Sequence, residues 1–303
     1  MGSLTLMTSR SAPFGRVLTA MVTPFTSGGE LDLERAASLA SSLVDQGNDG
    51  LVVSGTTGEA ATTSDAEKDA LLRAVVEAVG DRAHVLAGVG TYDTRHSVEL
   101  ARAAEKAGAT GLLVVTPYYT RPPQAGIVAH VEQVAGATGL PVMLYDIPFR
   151  TGTALTTETI LALGRHPSVV AVKDAKDDLG ATSAVLARSD LAYYCGTDQL
   201  NLPLLAIGAV GLVSVVSHVV TPTLVELVQA YDSGDVVRAR ALHLQLQPVY
   251  TGMFRTQGVI LSKAALALTG APVGGVRLPL VDATDEQRAV LAQDLTAGGV
   301  ALA

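Results

Sequence analysis

A lysine and a tyrosine that end two apolar segments have the clearest capacity for chemistry in this sequence. Lys173 closes the run Val-Val-Ala-Val-Lys, and Tyr145 closes Pro-Val-Met-Leu-Tyr. Burial of a lysine at the end of a strand lowers the pKa of its amine, and the neutral amine can form an imine with a ketone. A phenol beside it both donates and accepts protons. The alternatives are a lysine that snorkels or pairs with Asp174, and a buried tyrosine bonded to backbone.

Two further segments carry groups suited to an acidic ligand. Residues 55–59 read Gly-Thr-Thr-Gly-Glu, in which the glycines allow close backbone approach and Thr56 and Thr57 supply hydroxyls and amides for a carboxylate or phosphate. Arg150 follows Tyr145 by five residues, and a guanidinium binds carboxylates through two parallel hydrogen bonds. A plain glycine-rich turn and a surface arginine are the alternatives for these two segments.

Composition excludes several classes of function. The 303 residues carry a net charge of −8 with no long basic run, which argues against nucleic-acid binding. Cys195 is the only cysteine, and no two of the six histidines have helical i, i+4 spacing, so we expect no metal site and no cofactor. No apolar run is long enough for a membrane span and no secretory signal is evident, so we expect a cytoplasmic protein.

Short apolar segments alternate with longer amphipathic ones along the chain. The predicted strands are residues 17–22, 50–53, 84–88, 111–115, 141–145, 169–173, 191–195 and 211–216. Helical patterns include residues 32–46, 64–79, 94–107 and 221–231, followed by 235–250, 258–269 and 284–297. Ser64 and Glu67 have the spacing of a capping box. Gly47, Gly80 and Gly108 fall just past helical patterns, where a left-handed C-cap favours glycine.

This alternation predicts an α/β fold, namely a (β/α)8 TIM barrel with additional C-terminal helices. The strands are nearly continuous hydrophobic runs, as expected of parallel strands covered on both faces. The alternative is an open doubly wound sheet, but Gly88-Val89-Gly90 lacks the third glycine of a dinucleotide fingerprint. We predict that residues 1–220 form the barrel with the active site, and that residues 221–303 form a helical extension packed on it.

Five motifs in this order resemble the dihydrodipicolinate synthase family, part of the N-acetylneuraminate lyase superfamily. They are Thr-Ala-Met-Val-Thr-Pro-Phe (19–25), Gly-Thr-Thr-Gly-Glu (55–59), Val-Thr-Pro-Tyr-Tyr (115–119), Tyr-Asp-Ile-Pro (145–148) and Val-Lys-Asp-Ala (172–175). The resemblance extends from about residue 17 to residue 297. Each motif alone is moderately specific, and their shared order and spacing are strongly specific.

The resemblance implies roles for individual residues. Lys173 matches the lysine that forms a Schiff base with pyruvate, and Tyr145 matches the tyrosine that shuttles protons. Thr57 and Tyr119 match residues of a proton relay, and Thr56 matches a residue that binds the pyruvate carboxylate. Gly196 and Val213 match residues that contact substrate. Tyr118 and Tyr119 match residues of a tight-dimer interface. Arg150 matches an arginine that binds the carboxylate of aspartate 4-semialdehyde, and sialic-acid lyases generally lack it.

The resemblance thus implies condensation of pyruvate with L-aspartate 4-semialdehyde to 4-hydroxy-tetrahydrodipicolinate, in lysine and diaminopimelate biosynthesis. It also implies a homotetramer built as a dimer of tight dimers. Two alternatives remain open: a related lyase acting on another 2-keto acid of the sialic-acid or keto-sugar-acid type, and a non-catalytic barrel that binds keto acids. A phosphate-binding barrel enzyme is disfavoured because no glycine-rich phosphate loop follows strands seven and eight.

Overall fold

The computed structural model describes residues 11–303, and its centre is a barrel of eight parallel strands. The strands are β1 (Val17–Ala20), β2 (Gly50–Val53), β3 (His84–Gly88), β4 (Gly111–Val115), β5 (Val142–Asp146), β6 (Val169–Asp174), β7 (Ala192–Cys195) and β8 (Gly211–Ser214). Each strand pairs with the next, and β8 pairs with β1, with Leu18 opposite Val213. The predicted (β/α)8 barrel is therefore confirmed, and the open doubly wound sheet is wrong.

Helices surround the barrel, and most of them return the chain to the start of the next strand. They are α1 (Leu33–Asp45), α2 (Asp65–Val79), α3 (Thr94–Lys106), α4 (Gln124–Ala135), α5 (Pro148–Thr151), α6 (Thr157–Leu163), α7 (Leu179–Leu186), α8 (Asn201–Ala206) and α9 (Ser217–Asp232). The capping box of α2 is present, because Ser64 Oγ accepts from the Glu67 amide and the Glu67 carboxylate accepts from the Ser64 amide. Such reciprocal bonds satisfy amides at the helix start that have no intrahelical partner.

The three glycines predicted as left-handed C-caps divide into two kinds. Gly47 and Gly108 have φ angles of +107° and +91°, a region that side chains disfavour. Gly80 instead has a φ of −65°, so the prediction of a left-handed cap there is wrong. A Cβ on Gly80 would lie 2.6 Å from the Val76 carbonyl oxygen. Space, rather than backbone handedness, therefore accounts for glycine at position 80.

Four helices follow the barrel: α10 (Val236–Gln245), α11 (Gln247–Gly252), α12 (Gly258–Leu268) and α13 (Asp285–Ala297). The single helix predicted over residues 235–250 is wrong, because Pro248 lacks the amide that would bond to the carbonyl four residues earlier. Helix α9 is kinked at Val220, whose φ of −136° and ψ of 23° are not helical, and the helix packs against β1 and α1. We therefore propose that the barrel unit ends with α9, at Asp232, and that the extension comprises α10–α13.

The barrel core is built from aliphatic side chains, and its amino-terminal end is closed by aromatic ones. Phe14 and Tyr194 are completely buried there. The Tyr194 hydroxyl accepts from the Phe14 amide at 3.1 Å and donates to the Gly15 carbonyl at 3.0 Å. Within residues 11–303, no helix is long and apolar enough to cross a membrane.

Candidate active site

Lys173 and Tyr145 lie side by side at the carboxyl ends of β6 and β5, at paired register positions. Lys173 Nζ is 4.3 Å from the centroid of the Tyr145 ring, and the two residues are only 4% and 5% exposed. Among residues 11–303, neither the amine nor the phenol has a hydrogen-bond or ion-pair partner. Both groups are therefore adjacent, largely shielded from water and available to a ligand.

The next residue on each strand is a buried aspartate. Asp146 and Asp174 are paired in register, and strand geometry turns their side chains to the opposite face from Tyr145 and Lys173. Asp174 accepts from the amide of Lys176 at 2.9 Å and from the hydroxyl of Thr182. The alternative in which Lys173 pairs with Asp174 is therefore absent from the described part of the chain. Lys173 has no neighbouring carboxylate there that would hold it as a structural cation.

Burial also controls the protonation of these aspartates. It raises the pKa of Asp146 to about 7, against the opposing effects of the Leu155 amide and Lys176. Burial likewise raises the pKa of Asp174, and the bond from Thr182 opposes this. Asp146 Oδ1 accepts from the Leu155 amide at 3.1 Å, whereas Oδ2 is buried without a partner. The sequence analysis considered Asp174 only as a partner of Lys173 and missed Asp146, although both residues directly follow a predicted active-site residue.

The chain after β7 and β8 contributes two predicted substrate contacts. The Gly196 amide donates to the Asp174 carbonyl at 2.7 Å. A Cβ at Gly196 would lie 3.0 Å from Lys173 Cε and 3.0 Å from the Asp174 carbonyl oxygen, so a larger residue would crowd the lysine side chain. Val213 is completely buried in β8. A cavity lined by Tyr145 opens at the barrel mouth, and neither Val213 nor Gly196 nor Lys173 belongs to its lining. Gly196 is therefore beside the lysine, whereas Val213 lies within the barrel wall.

The Gly-Thr-Thr-Gly-Glu segment forms a tight loop after β2. Its Gly58 amide donates to the Gly55 carbonyl at 3.1 Å, and its Gly58 carbonyl accepts from the Thr23 hydroxyl at 2.6 Å. Thr56 is half-buried in the cavity wall, whereas Thr57 is 8% exposed and lies outside that lining. Neither threonine hydroxyl has a partner among residues 11–303. The loop therefore presents two uncommitted hydroxyls.

A cavity of about 340 Å³ opens at the carboxyl ends of the strands. Its wall combines the loop after β2 with Tyr145, Tyr118 and Arg150. Three residues of the C-terminal extension, Gln257, Pro279 and Leu280, complete it. The sequence analysis missed these three, because they lie in irregular segments that no periodicity or motif marks. Active sites of (β/α)8 barrels form at this face of the fold.

Arg150 reaches the cavity from α5, a single turn that follows β5. The turn begins with Pro148 and ends at Gly152, whose φ of +73° gives a left-handed cap. The Arg150 guanidinium lies 6.0 Å from the centroid of the Phe149 ring. It is exposed and has no carboxylate partner within residues 11–303. Its two-pronged donor is therefore available to an acidic ligand at the mouth.

Tyr118 and Tyr119 follow β4 and have different surroundings. Tyr118 lines the cavity and packs edge-on against Tyr92, with ring centroids 5.4 Å apart. Tyr119 is 89% exposed, and its φ of +67° is unusual for a bulky residue. Its side chain is outside the cavity of its own chain. The single chain therefore brings Thr56, Tyr145 and Tyr118 together at the cavity but leaves Tyr119 apart.

Comparison with known proteins assigns this barrel to a family. The model of the dihydrodipicolinate synthetase family matches residues 13–298. The chain is 67% identical to the 4-hydroxy-tetrahydrodipicolinate synthase of Acidothermus cellulolyticus over 96% of this chain and 94% of that protein. It is 63% identical to 4-hydroxy-tetrahydrodipicolinate synthase 2 of Streptomyces coelicolor, over 96% and 97% of the two chains. The chain belongs to the dihydrodipicolinate synthetase family.

Solved structures of dihydrodipicolinate synthases have the same architecture. The enzyme from Cyanidioschyzon merolae, crystallised with lysine bound, superposes with a TM-score of 0.94 at 40% identity, covering 96% of this chain and all of that one. DapA-2 of Bacillus anthracis gives a TM-score of 0.92 at 38% identity, covering 93% and 98%. The family resemblance inferred from the five motifs is thereby confirmed. The described residues contain no group of three or more side chains that could hold a metal ion.

Proposed function

We propose that this chain is a Schiff-base synthase that condenses pyruvate with L-aspartate 4-semialdehyde to 4-hydroxy-tetrahydrodipicolinate. Relatives 53–67% identical over nearly the full length carry the name of that synthase. The observation that supports the chemistry best is the uncommitted Lys173 amine, 4.3 Å from the Tyr145 ring at the barrel mouth. A related lyase or a non-catalytic barrel would not require this pair together with Arg150.

The first stage joins pyruvate to the enzyme. The neutral Lys173 amine attacks the keto carbon of pyruvate and gives a carbinolamine, which loses water to form an iminium. The iminium withdraws electrons from the pyruvate methyl group, so that a methyl proton leaves and an enamine forms. The shielded mouth favours this step, because low solvent exposure keeps the intermediate out of water.

The second stage builds the ring. The enamine carbon attacks the aldehyde carbon of the semialdehyde, forming a carbon–carbon bond and an alkoxide that takes up a proton. The amine of the former semialdehyde then attacks the iminium carbon, and the Lys173 amine leaves as the ring closes. The balance is one pyruvate and one semialdehyde consumed, with one product and one water released. The lysine is regenerated, and no external oxidant or reductant is needed.

We assign proton transfer in these steps to Tyr145, together with Thr57 and Tyr119 as a relay, and we assign the pyruvate carboxylate to Thr56. A chain of hydroxyls moves protons without a net change in charge. Thr56 shares the cavity wall with Tyr145 and Thr57 does not, so the two threonines could also exchange these roles. Separate Thr56→Val and Thr57→Val variants distinguish the assignments: loss of the relay lowers kcat, whereas loss of the carboxylate contact raises KM for pyruvate.

The remaining predicted residues complete the substrate contacts. Arg150 binds the carboxylate of the semialdehyde through its guanidinium. Gly196 offers its carbonyl next to Lys173, and Val213 supports the barrel wall beneath the substrate. The exposure of Arg150 at the cavity rim and the close packing of Gly196 on Lys173 support these two roles.

We also propose that the working enzyme is a homotetramer, a dimer of tight dimers, in which Tyr118 and Tyr119 lie at the tight interface. Tyr119 is 89% exposed in one chain and lies outside that chain's own cavity, which fits a residue that completes a partner's relay. The proposed setting is the lysine and diaminopimelate pathway in the cytoplasm. Sedimentation of the purified protein, with Tyr119→Phe as a kinetic probe, tests the assembly.

Borohydride trapping tests the proposed function. Reduction in the presence of pyruvate should add a pyruvate-derived group to Lys173, detected by peptide mass spectrometry, and a Lys173→Arg variant should remain unmodified. A panel of aldehydes should then give turnover with L-aspartate 4-semialdehyde. Trapping without turnover on this aldehyde, but with turnover on sugar-derived keto acids, would instead support the related lyase. Absence of any adduct on the parent protein would leave only a binding role.

A further inference from the structure

A second buried lysine links the C-terminal extension to the loop that carries the two threonines. Lys263, on α12, places its Nζ 2.7 Å from Oε1 of Glu59, the last residue of the Gly-Thr-Thr-Gly-Glu motif. Their side chains are 3% and 1% exposed. Lys263 also donates to the Gly275 carbonyl at 2.6 Å. An ion pair this deeply buried fixes geometry strongly, because either charge alone would be severely desolvated.

Arg277 adds a second link between the same two parts of the chain. Its backbone amide donates to Glu59 Oε2 at 2.9 Å. Its guanidinium donates to the carbonyls of Gly29 and Thr62, at 2.9 and 3.1 Å, and to the Glu67 carboxylate at 2.6 Å. The bond from Arg277 is the main reason why the pKa of Glu67 falls to about 2. The loop is thus held at Glu59, at Thr62 and at the start of α2.

The loop after β1 is part of the same cluster. Lys263 Nζ and the Arg277 guanidinium lie 4.2 and 4.1 Å from the centroid of the Phe25 ring. The Phe25 amide donates to the Val273 carbonyl at 3.0 Å. A Cβ on Gly274 would lie 1.9 Å from the Phe25 carbonyl oxygen, so the two segments touch backbone to backbone. The extension and the loops after β1 and β2 therefore pack as one unit.

The backbone at the end of the threonine loop is strained and needs this support. Glu59 has a φ of +54°, in the left-handed region that non-glycine residues disfavour. Ser54, just before the loop, has a φ of +55°. Such conformations persist only where surrounding contacts determine them. The contacts of Lys263 and Arg277 with the Glu59 carboxylate hold the backbone in this conformation at one end of the loop.

We propose that Glu59, Lys263 and Arg277 are positioning residues for the active site: they hold the threonine loop in the shape that presents Thr56 and Thr57 to pyruvate. The inference rests on the proposed function. Lys263 and Arg277 lie outside the cavity lining, and Glu59, which borders the cavity, has a side chain that is only 1% exposed, so the proposed role requires no contact with substrate. The C-terminal extension thereby sets the affinity for pyruvate, in addition to packing on the barrel.

The decisive variant is the double substitution Glu59→Gln with Lys263→Met, in the full-length protein. It removes both charges together and so avoids the uncompensated buried charge that either single change would leave. We expect a melting temperature close to that of the parent, and a pyruvate adduct at Lys173 that still forms at saturating pyruvate. KM for pyruvate should rise about tenfold, as for the loss of one hydrogen bond to a charged group.

The matched control is Arg238→Met, which removes an exposed ion pair with Glu226 in the same half of the chain. It should leave KM for pyruvate unchanged. A double variant with the parent's KM and kcat would overturn the positioning role and leave the pair purely structural. The proposed function would fail separately, through a parent protein that forms no adduct with pyruvate.

Arg277→Gln decides the question if the double variant does not fold. The Arg277 and Glu67 side chains are 20% and 25% exposed, so water can still reach the Glu67 carboxylate after Arg277 is replaced. The variant loses the bonds to Gly29, Thr62 and Glu67. A rise in KM for pyruvate, with trapping at Lys173 retained, supports the inference. Parent values in this variant contradict it.

Discussion

Two buried lysines of this barrel have nearly identical exposure and opposite surroundings. Lys173 and Lys263 are each 4% exposed, and each amine lies just over 4 Å from the centroid of an aromatic ring, that of Tyr145 or Phe25. Lys263 has a carboxylate at 2.7 Å and a carbonyl at 2.6 Å, whereas Lys173 has no polar partner among residues 11–303. Burial alone therefore does not distinguish Lys263, which has a structural role, from Lys173, which we propose to be reactive. The presence or absence of polar partners does distinguish them.

The same contrast extends to the neighbours of each lysine. Arg277 donates to three partners through its guanidinium, whereas Arg150 has no carboxylate partner in the described chain. Glu59 Oε1 has no hydrogen bond but forms an ion pair with a lysine, and Glu59 Oε2 accepts from an amide, whereas Asp146 Oδ2 is buried with neither kind of partner. The β2 side of the mouth and the extension thus satisfy their charges internally. On the β5–β6 side, Lys173, Arg150 and Oδ2 of Asp146 lack such partners among residues 11–303 and are left to a ligand or to protonation.

The largest expected effect comes from replacing the unpartnered lysine. Lys173→Met should abolish turnover and pyruvate trapping, because no other amine occupies that position. It should leave the free energy of unfolding unchanged or increase it, because an unpaired buried amine is exchanged for an apolar side chain of similar length. Kinetics, trapping and urea denaturation check this. A substantial loss of stability would show that Lys173 has a structural partner after all.

Replacing the paired lysine should have the reverse signature. Lys263→Met leaves the Glu59 carboxylate buried and uncompensated, which typically costs about 3–5 kcal/mol of stability. Trapping at Lys173 should persist in the fraction that remains folded. Urea denaturation of Lys263→Met and Lys173→Met in parallel gives the comparison directly. Equal stabilities for the two variants would remove the distinction drawn between the two lysines.

The arginine pair provides a smaller, purely kinetic test. Arg150→Ala should raise KM for L-aspartate 4-semialdehyde by about 10- to 100-fold, corresponding to one charged hydrogen-bonding interaction. KM for pyruvate and imine formation should remain those of the parent, because the guanidinium has no partner near Lys173. Steady-state kinetics with each substrate varied separately measure both. Unchanged use of the aldehyde would contradict the assignment of Arg150.

The sequence was most informative at the ends of two strands, where a lysine and a tyrosine each suggested one chemical role. Periodicity predicted the barrel, and the positions of Lys173 and Tyr145 after adjacent strands predicted their meeting. The bonds of Arg277 and the cavity contacts of Leu280 could not be predicted in this way. They join segments about 200 residues apart in the chain, through irregular backbone that no local pattern marks.

The burial of individual charges was equally hidden in the sequence. Glu59 was visible as the end of a motif, but its partner Lys263 lies in an apolar helix whose sequence favours burial of the whole segment. Asp146 follows a strand-end tyrosine, and only the fold shows that it lies beside Asp174, buried between the strands and the surrounding helices. Pairing of charges depends on tertiary contacts, so it appears only with the structure.

The smallest effect should come from Asp146, and it depends on pH. Burial raises the pKa of Asp146 to about 7 from an ordinary value of 3.8, so the folded state binds a proton that the unfolded state releases between these values. Stability therefore falls as pH rises from about 4 to 7, and the full penalty remains above pH 7.

Asp146→Asn cannot ionise, and its amide oxygen can still accept from the Leu155 amide. The free energy of unfolding of the variant should exceed that of the parent by on the order of 2 kcal/mol at pH 8, and the difference should shrink towards pH 5. Urea denaturation at the two pH values measures this difference. Glu67→Gln is a control of opposite sign, because the pKa of Glu67 is lowered and its contribution to stability is lost only as pH falls towards 2. A pH-independent difference between Asp146→Asn and the parent would mean that neighbouring Asp174 and Lys176 already hold the Asp146 carboxyl in one protonation state.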